Sequence, residues 1–125
     1  MYPENEQIRV LVVDDHPLLR EGIAAVLEAQ SDIALVGEAT NGHEALQLFR
    51  LLRPDVTLMD LQMPEMDGSE AIHAIRAEFP CARIAILTTY RGDVRALHAI
   101  KAGAIGYLLK SSLRKELLDA IRSIA

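Results

Sequence analysis

Four short apolar runs in this chain each end at a polar or charged residue. They are Val10-Leu11-Val12-Val13 before Asp14-Asp15, Val56-Thr57-Leu58-Met59 before Asp60, Ile84-Ala85-Ile86-Leu87 before Thr88, and Tyr107-Leu108-Leu109 before Lys110. The runs are β-branched or leucine-rich and lack polar alternation, which is the pattern of strands covered on both faces by helices. Three carboxylates, a hydroxyl and an ammonium therefore collect at the carboxyl ends of four parallel strands, where open α/β sheets bind ligands. Carboxylates crowded there repel one another unless a cation intervenes. The arrangement calls for a divalent metal with an anionic group beside it.

The segments between the runs have helical period. Pro17 suits a first helical turn, where its missing N–H costs nothing, and Leu19, Ile23, Val26 and Leu27 follow at helical spacing. Residues 33–38 read as a more polar strand and hence a sheet edge. Asn41 and Glu44 resemble a capping pair for a helix with Leu46, Phe49 and Leu52 inward, stopped before Pro54. Asp67 is placed to cap a helix that runs to about Glu78, and Pro80 ends it. A fourth helix over 93–102 closes at Gly103, and a fifth over 113–124 shows Leu117, Leu118, Ile121 and Ile124 on one face. Five strands alternating with five helices give a flavodoxin-like, doubly wound (βα)5 three-layer sandwich, with strand order 2-1-3-4-5. Its switch point lies between the strands that end in Asp14-Asp15 and Asp60.

At 125 residues the chain is read as one domain over 1–125, with an aliphatic core built without Trp. A formal net charge of −5 argues against nonspecific binding to nucleic acid or anionic membranes. The single Cys81 forms no internal disulfide, so a reduced, cytoplasmic setting is expected, and no run is long enough to span a bilayer.

The motifs Val12-Val13-Asp14-Asp15-His16-Pro17, Met59-Asp60-Leu61-Gln62-Met63-Pro64-Glu65-Met66-Asp67-Gly68, Leu87-Thr88-Thr89 and Gly106-Tyr107-Leu108-Leu109-Lys110 together resemble the response-regulator receiver domain of two-component signalling. Asp-Asp-His-Pro, Arg20-Glu21-Gly22 and the stretch 103–110 are similar to the NarL/FixJ-type subfamily. The resemblance implies that Asp60 is the phosphoacceptor and that Asp14 and Asp15 hold Mg²⁺ (or Mn²⁺) with Asp60 and the backbone carbonyl of Gln62. It makes Thr88 the switch hydroxyl, Lys110 the phosphate-pairing cation and Tyr107 the rotating aromatic. It also gives Gln62 and Tyr90 the tuning of phosphate lifetime; the bulk of Tyr90 is expected to obstruct attacking water and slow self-dephosphorylation. The implied partners are a sensor histidine kinase, a second copy on phosphorylation through the first and fifth helices, and DNA only through a C-terminal helix-turn-helix domain outside these residues.

The residue chemistry agrees with those roles. Acyl-phosphate formation needs an ionised carboxylate, and its catalysis is positioning and charge neutralisation. Two carboxylates and a carbonyl leave an octahedral cation room for a phosphoryl oxygen, while Lys110 and Thr88 can take the other two. Moving a switch from 1:99 to 99:1 takes about 5.5 kcal/mol, within reach of several charge-assisted contacts. The fourth helix carries Ala96, Ala99 and Ala102 beside only Val94, Leu97 and Ile100, a light anchor that suits a bistable element.

Other residues read as structural. His16, just before Pro17, is assigned to the helix start in preference to a ligand or base role. Met59, Met63 and Met66 are read as packing around the Asp60 loop, Pro64 as fixing its turn, and Gly68 as letting the chain pass close to the site. One departure from the family pattern is Ser111, where many receivers have a cis proline. A non-proline cis bond would cost about 3–4 kcal/mol, so the sequence leaves the reach of Lys110 open. Competing readings are a stand-alone receiver, a flavodoxin-like cofactor module, disfavoured by an acidic first loop, and an aspartate-nucleophile phosphatase, which would carry its nucleophile on that loop.

Overall fold

A computed structural model describes residues 7–63, 66–89 and 92–125. The strands are β1 (Ile8–Val13), β2 (Ile33–Ala39), β3 (Val56–Asp60), β4 (Ile84–Thr88) and β5 (Gly106–Leu109). The helices are α1 (Pro17–Glu28), α2 (Gly42–Leu52), α3 (Gly68–Glu78), α4 (Val94–Ala102) and α5 (Leu113–Ile124), the last entered through a single 3₁₀ turn at Lys110–Ser112. All strand pairings are parallel and the order is β2-β1-β3-β4-β5, as the alternation of elements predicts.

The apolar runs lack alternation because successive side chains enter two different cores. On β1, Leu11 and Val13 face α2 to α4, whereas Val10 and Val12 face α1 and α5; on β4, Ile84 and Ile86 divide from Ala85 and Leu87 in the same way. β2 lies at the sheet edge and is only partly covered, matching its more polar sequence.

The starts of α2, α3 and α4 are set by side-chain acceptors. Asn41 Oδ1 accepts from the Glu44 N–H at 2.9 Å, and Asp67 Oδ1 from the Glu70 N–H at 2.9 Å. Glu44 returns not to Asn41, as a standard capping pair would, but to the backbone N–H of Thr40 at 2.7 Å. At the far end of α2, Arg53 adopts a left-handed conformation (φ 47°) with its guanidinium 4.2 Å over the Phe79 ring.

α4 differs from its sequence reading. Its anchor is Ala99, fully buried, with Ala96 and Ala102 packed beside it, while Val94, Leu97 and Ile100 face outward. The small residues let the helix lie close to α3, and that proximity leaves the three larger side chains on the opposite face. The anchor is lighter than composition alone suggests.

Candidate functional site

The register carries the strand ends to one place. Val13 pairs with Met59, Asp60 with Leu87 and Thr88 with Leu109, so the residues that follow meet at the carboxyl edge. Asp14 and Asp60 are buried, at 0% and 2% exposure, and Asp15 is partly open. Lys110 Nζ lies 3.1 Å from Asp60 Oδ1 and 3.5 Å from Asp14 Oδ2. No described peptide bond is cis, so the Lys110–Ser111 bond is trans and Lys110 reaches the acidic cluster from the 3₁₀ turn without a proline.

Burial pushes the Asp60 carboxyl above the ordinary aspartate range, and the Asp14 charge adds to the shift. The Lys110 ammonium and the Gln62 N–H, 3.3 Å from Asp60 Oδ1, oppose it without cancelling it. Asp14 Oδ2, Asp15 Oδ1 and Asp60 Oδ2 are buried oxygens that accept no hydrogen bond. Such atoms are costly unless a further cation satisfies them. Carboxylate oxygens of these three residues lie within 4.8 Å of one another, so the donor set is hard, anionic and convergent and is compatible with a divalent metal.

His16 is in the site, against the sequence assignment. Its Nδ1 stands 2.8 Å from Asp14 Oδ1, 3.2 Å from Asp15 Oδ1 and 3.8 Å from Asp60 Oδ2, and its backbone N–H also reaches Asp14 Oδ1 at 2.7 Å. It supplies no side-chain cap to α1. Direct adjacency to the acidic pair was the available signal; the constraint from Pro17 outweighed it because only the turn geometry shows where the ring points.

Thr88 is buried at the end of β4. Tyr107 stands apart from the carboxylates, about half exposed. It lines, with Thr88, Asp93, Ala96 and Leu97, a cavity of about 300 Å³ between α4 and β5. Gln62 is exposed and Tyr90 lies outside the described residues, as do Pro64 and Glu65. Two further residues escaped the sequence reading. Asp93 is a buried carboxylate at the N-terminus of α4, its pKa lowered first by its hydrogen bond from Arg95, and Arg95 itself lines a groove with Asp15, His16 and Gln62.

A doubly wound sheet with a buried acidic cluster at its switch point, faced by a lysine and a strand-end threonine, is the arrangement of a receiver domain. Residues 10–122 match the response regulator receiver domain family, and the chain belongs to it, in its NarL/FixJ-type branch. It is 47% identical over 120 residues to the uncharacterized transcriptional regulatory protein YxjL of Bacillus subtilis, covering 96% of this chain and 55% of that protein. It is 49% identical over 116 residues to the transcriptional regulatory protein LiaR of the same organism, covering 93% and 55%. The signal receiver domain of the putative response regulator NarL from Mycobacterium tuberculosis superposes with a TM-score of 0.88 at 38% identity, over 94% of this chain and 95% of that one. The chain spans about half the length of the curated relatives it matches. Family membership decides for a receiver over the cofactor-module and phosphatase readings. Among the described residues no helix is long and apolar enough to cross a membrane.

Proposed function

We propose that Asp60 accepts a phosphoryl group from a sensor histidine kinase and that the resulting change in α4 is passed to a DNA-binding output domain. The observation that carries this reading is the buried Asp60 carboxylate, raised in pKa, with Lys110 at 3.1 Å and Asp14 beside it. Asp14, Asp15 and Asp60, with the Gln62 carbonyl, would hold Mg²⁺ (or Mn²⁺). A divalent cation there supplies neutralisation of phosphoryl charge. The protein's own groups do the rest: Lys110 pairs with a second phosphoryl oxygen, Thr88 donates to a third, and Asp60 attacks in line. Self-dephosphorylation would be tuned by Gln62 and Tyr90. The half-length match to proteins named as transcriptional regulators supports the DNA-binding output and a cytoplasmic setting. Intact-mass analysis after incubation with acetyl phosphate tests the assignment. Addition of one phosphoryl group is expected for wild type with Mg²⁺, and none without Mg²⁺ or in Asp60→Asn; equal labelling of that variant would sink the role.

Signalling follows if Thr88 moves toward the phosphoryl group and Tyr107 turns into the cavity behind it. The α4 anchor, limited to alanines, supports that motion. Binding of beryllofluoride and Mg²⁺ is expected to change amide exchange across residues 91–102 severalfold or more. Unchanged exchange there removes the switch role from α4.

Homodimerisation on phosphorylation is proposed through α1 and α5. Leu18 on α1 is 83% exposed and borders a groove of about 310 Å³ shared with Leu113 and Leu117. Sedimentation velocity with beryllofluoride is expected to show a dimer that Leu18→Asp abolishes; a dimer persisting in that variant places the interface elsewhere.

A further inference from the structure

We propose that the His16 imidazole is itself a ligand of the divalent-metal site, binding through Nδ1, and that it tilts the site toward first-row transition cations such as Co²⁺ and Ni²⁺ over Mg²⁺. The proposal rests on Asp14, Asp15 and Asp60 holding a cation, and it does not depend on phosphoryl transfer.

Nδ1 lies 2.8 Å from Asp14 Oδ1, 3.2 Å from Asp15 Oδ1 and 3.8 Å from Asp60 Oδ2. With metal–ligand bonds of about 2.1 Å, neighbouring ligands of an octahedron stand about 3.0 Å apart and opposite ones about 4.2 Å. The first two separations match neighbouring positions, and the third falls between neighbouring and opposite. One ligand atom from each of the four residues lies within 4.8 Å of the others. The nitrogen and the carboxylates already stand at ligand spacing.

The buried carboxylates have two sides. Lys110 Nζ approaches Asp60 Oδ1 at 3.1 Å and Asp14 Oδ2 at 3.5 Å, whereas His16 Nδ1 approaches the other oxygen of each. On the imidazole side, Asp15 Oδ1 and Asp60 Oδ2 are buried oxygens that accept no hydrogen bond. Asp60 is 2% exposed, so solvent offers its inner oxygen little relief. A cation held between these oxygens and Nδ1 satisfies both.

The backbone keeps the ring there. His16 is extended (φ −98°, ψ 106°) before Pro17, and its N–H donates to Asp14 Oδ1 at 2.7 Å. Without a cation, the 2.8 Å contact is a hydrogen bond from Nδ1–H. The other neutral tautomer carries its proton on Nε2 and turns a lone pair on Nδ1 the same way. The ring is 60% exposed, so water can accept from Nε2–H. The preference then follows from ligand chemistry. Mg²⁺ favours oxygen and gives up its waters reluctantly, whereas imidazole suits the later first-row cations, whose affinities rise from Mn²⁺ to Ni²⁺.

Electron spin echo envelope modulation of bound Mn²⁺ reads nitrogen coordination, and competition titrations with Mg²⁺, Co²⁺ and Ni²⁺ read the preference. Wild type is expected to show modulation from a directly bound nitrogen. His16→Ala keeps the backbone bond to Asp14 and removes no side-chain cap from α1. It should lose the modulation and bind Co²⁺ and Ni²⁺ about tenfold or more weakly, at least what loss of a second-shell partner costs. Its Mg²⁺ affinity should change about threefold at most. Asp15→Asn, which keeps the ring, should weaken all four cations. Mn²⁺ bound to wild type without nitrogen modulation, or modulation that survives His16→Ala, overturns the ligand while leaving the acidic site standing. An equal loss for Mg²⁺ and Ni²⁺ in His16→Ala overturns the preference. Nitrogen-coupled Mn²⁺ undisturbed by Asp15→Asn places the ion outside the cluster and overturns the assignment. Wild type that binds none of these cations counts against the acidic cluster as a metal site, and the proposal falls with it.

Discussion

Asp60→Asn is expected to unfold at a higher temperature than wild type in the absence of divalent cations, while losing all phosphoryl labelling. Asp60 and Asp14 are both buried, and burial and the Asp14 charge hold the Asp60 pKa above its unfolded value. The native state then binds the Asp60 proton more tightly than the unfolded chain does. The stability associated with that proton is present below the ordinary aspartate range and is lost as pH rises through the folded pKa. Near neutrality the full penalty of the ionised carboxylate is in force. Asparagine removes the charge and keeps the shape, which should raise stability by about 1–2 kcal/mol, or roughly 3–8 °C. Mg²⁺ should reverse the ranking, because it stabilises wild type by filling the site and has less to bind in the variant. Calorimetry at pH 5 and pH 7.5, with EDTA and with Mg²⁺, reads all of this. A variant less stable than wild type in EDTA at pH 7.5 would contradict the repulsion, whatever its labelling.

Gly68→Ala is expected to damage both stability and phosphorylation. Gly68 opens α3, where alanine would ordinarily be favoured by up to about 1 kcal/mol. Its backbone, however, passes directly against the end of β3 at Asp60 and Leu61. A methyl group there would fall inside contact distance of the Asp60 carbonyl oxygen and 2.9 Å from Leu61 Cα. Both neighbours are backbone, so no side-chain rotation relieves the clash. The Gly68 N–H also donates to the Leu61 carbonyl at 3.2 Å, tying the same two segments together. Forcing them apart should cost about 1–3 kcal/mol. It should also shift Asp60 relative to Lys110, and misplacement on the scale of 1 Å can cost on the order of 10²-fold in rate. Denaturant unfolding and the initial rate of acetyl phosphate labelling measure the two effects. Wild-type stability with a wild-type labelling rate would show that the site tolerates a shift of α3.

Local signals are the ones legible in the amino-acid sequence. Four unalternating apolar runs set the strands, Asn41, Asp67 and Asp93 mark helix starts within a residue, and Gly103, at φ 123°, ends α4. These are backbone and capping effects that act within a few residues. Resemblance to a family then attached roles to Asp14, Asp15, Asp60, Thr88 and Lys110, and the fold places all five at one sheet edge.

Side-chain direction was not legible. The sequence alone assigned His16 to a helix start and weighed Val94, Leu97 and Ile100 as anchors of α4. The fold turns the His16 ring into the carboxylates and turns those three side chains outward. Asp93 read only as the start of a helix, because its pairing with Arg95 depends on side-chain direction and not on any periodic pattern. By itself, the sequence determined which strands end in chemistry and, through the order of elements, that they end side by side. Only the tertiary structure decided which charges touch. Contacts such as Lys110 to Asp60 across a trans peptide bond, or Gln62 to Arg95, depend on ångström-scale closure of segments far apart in the chain.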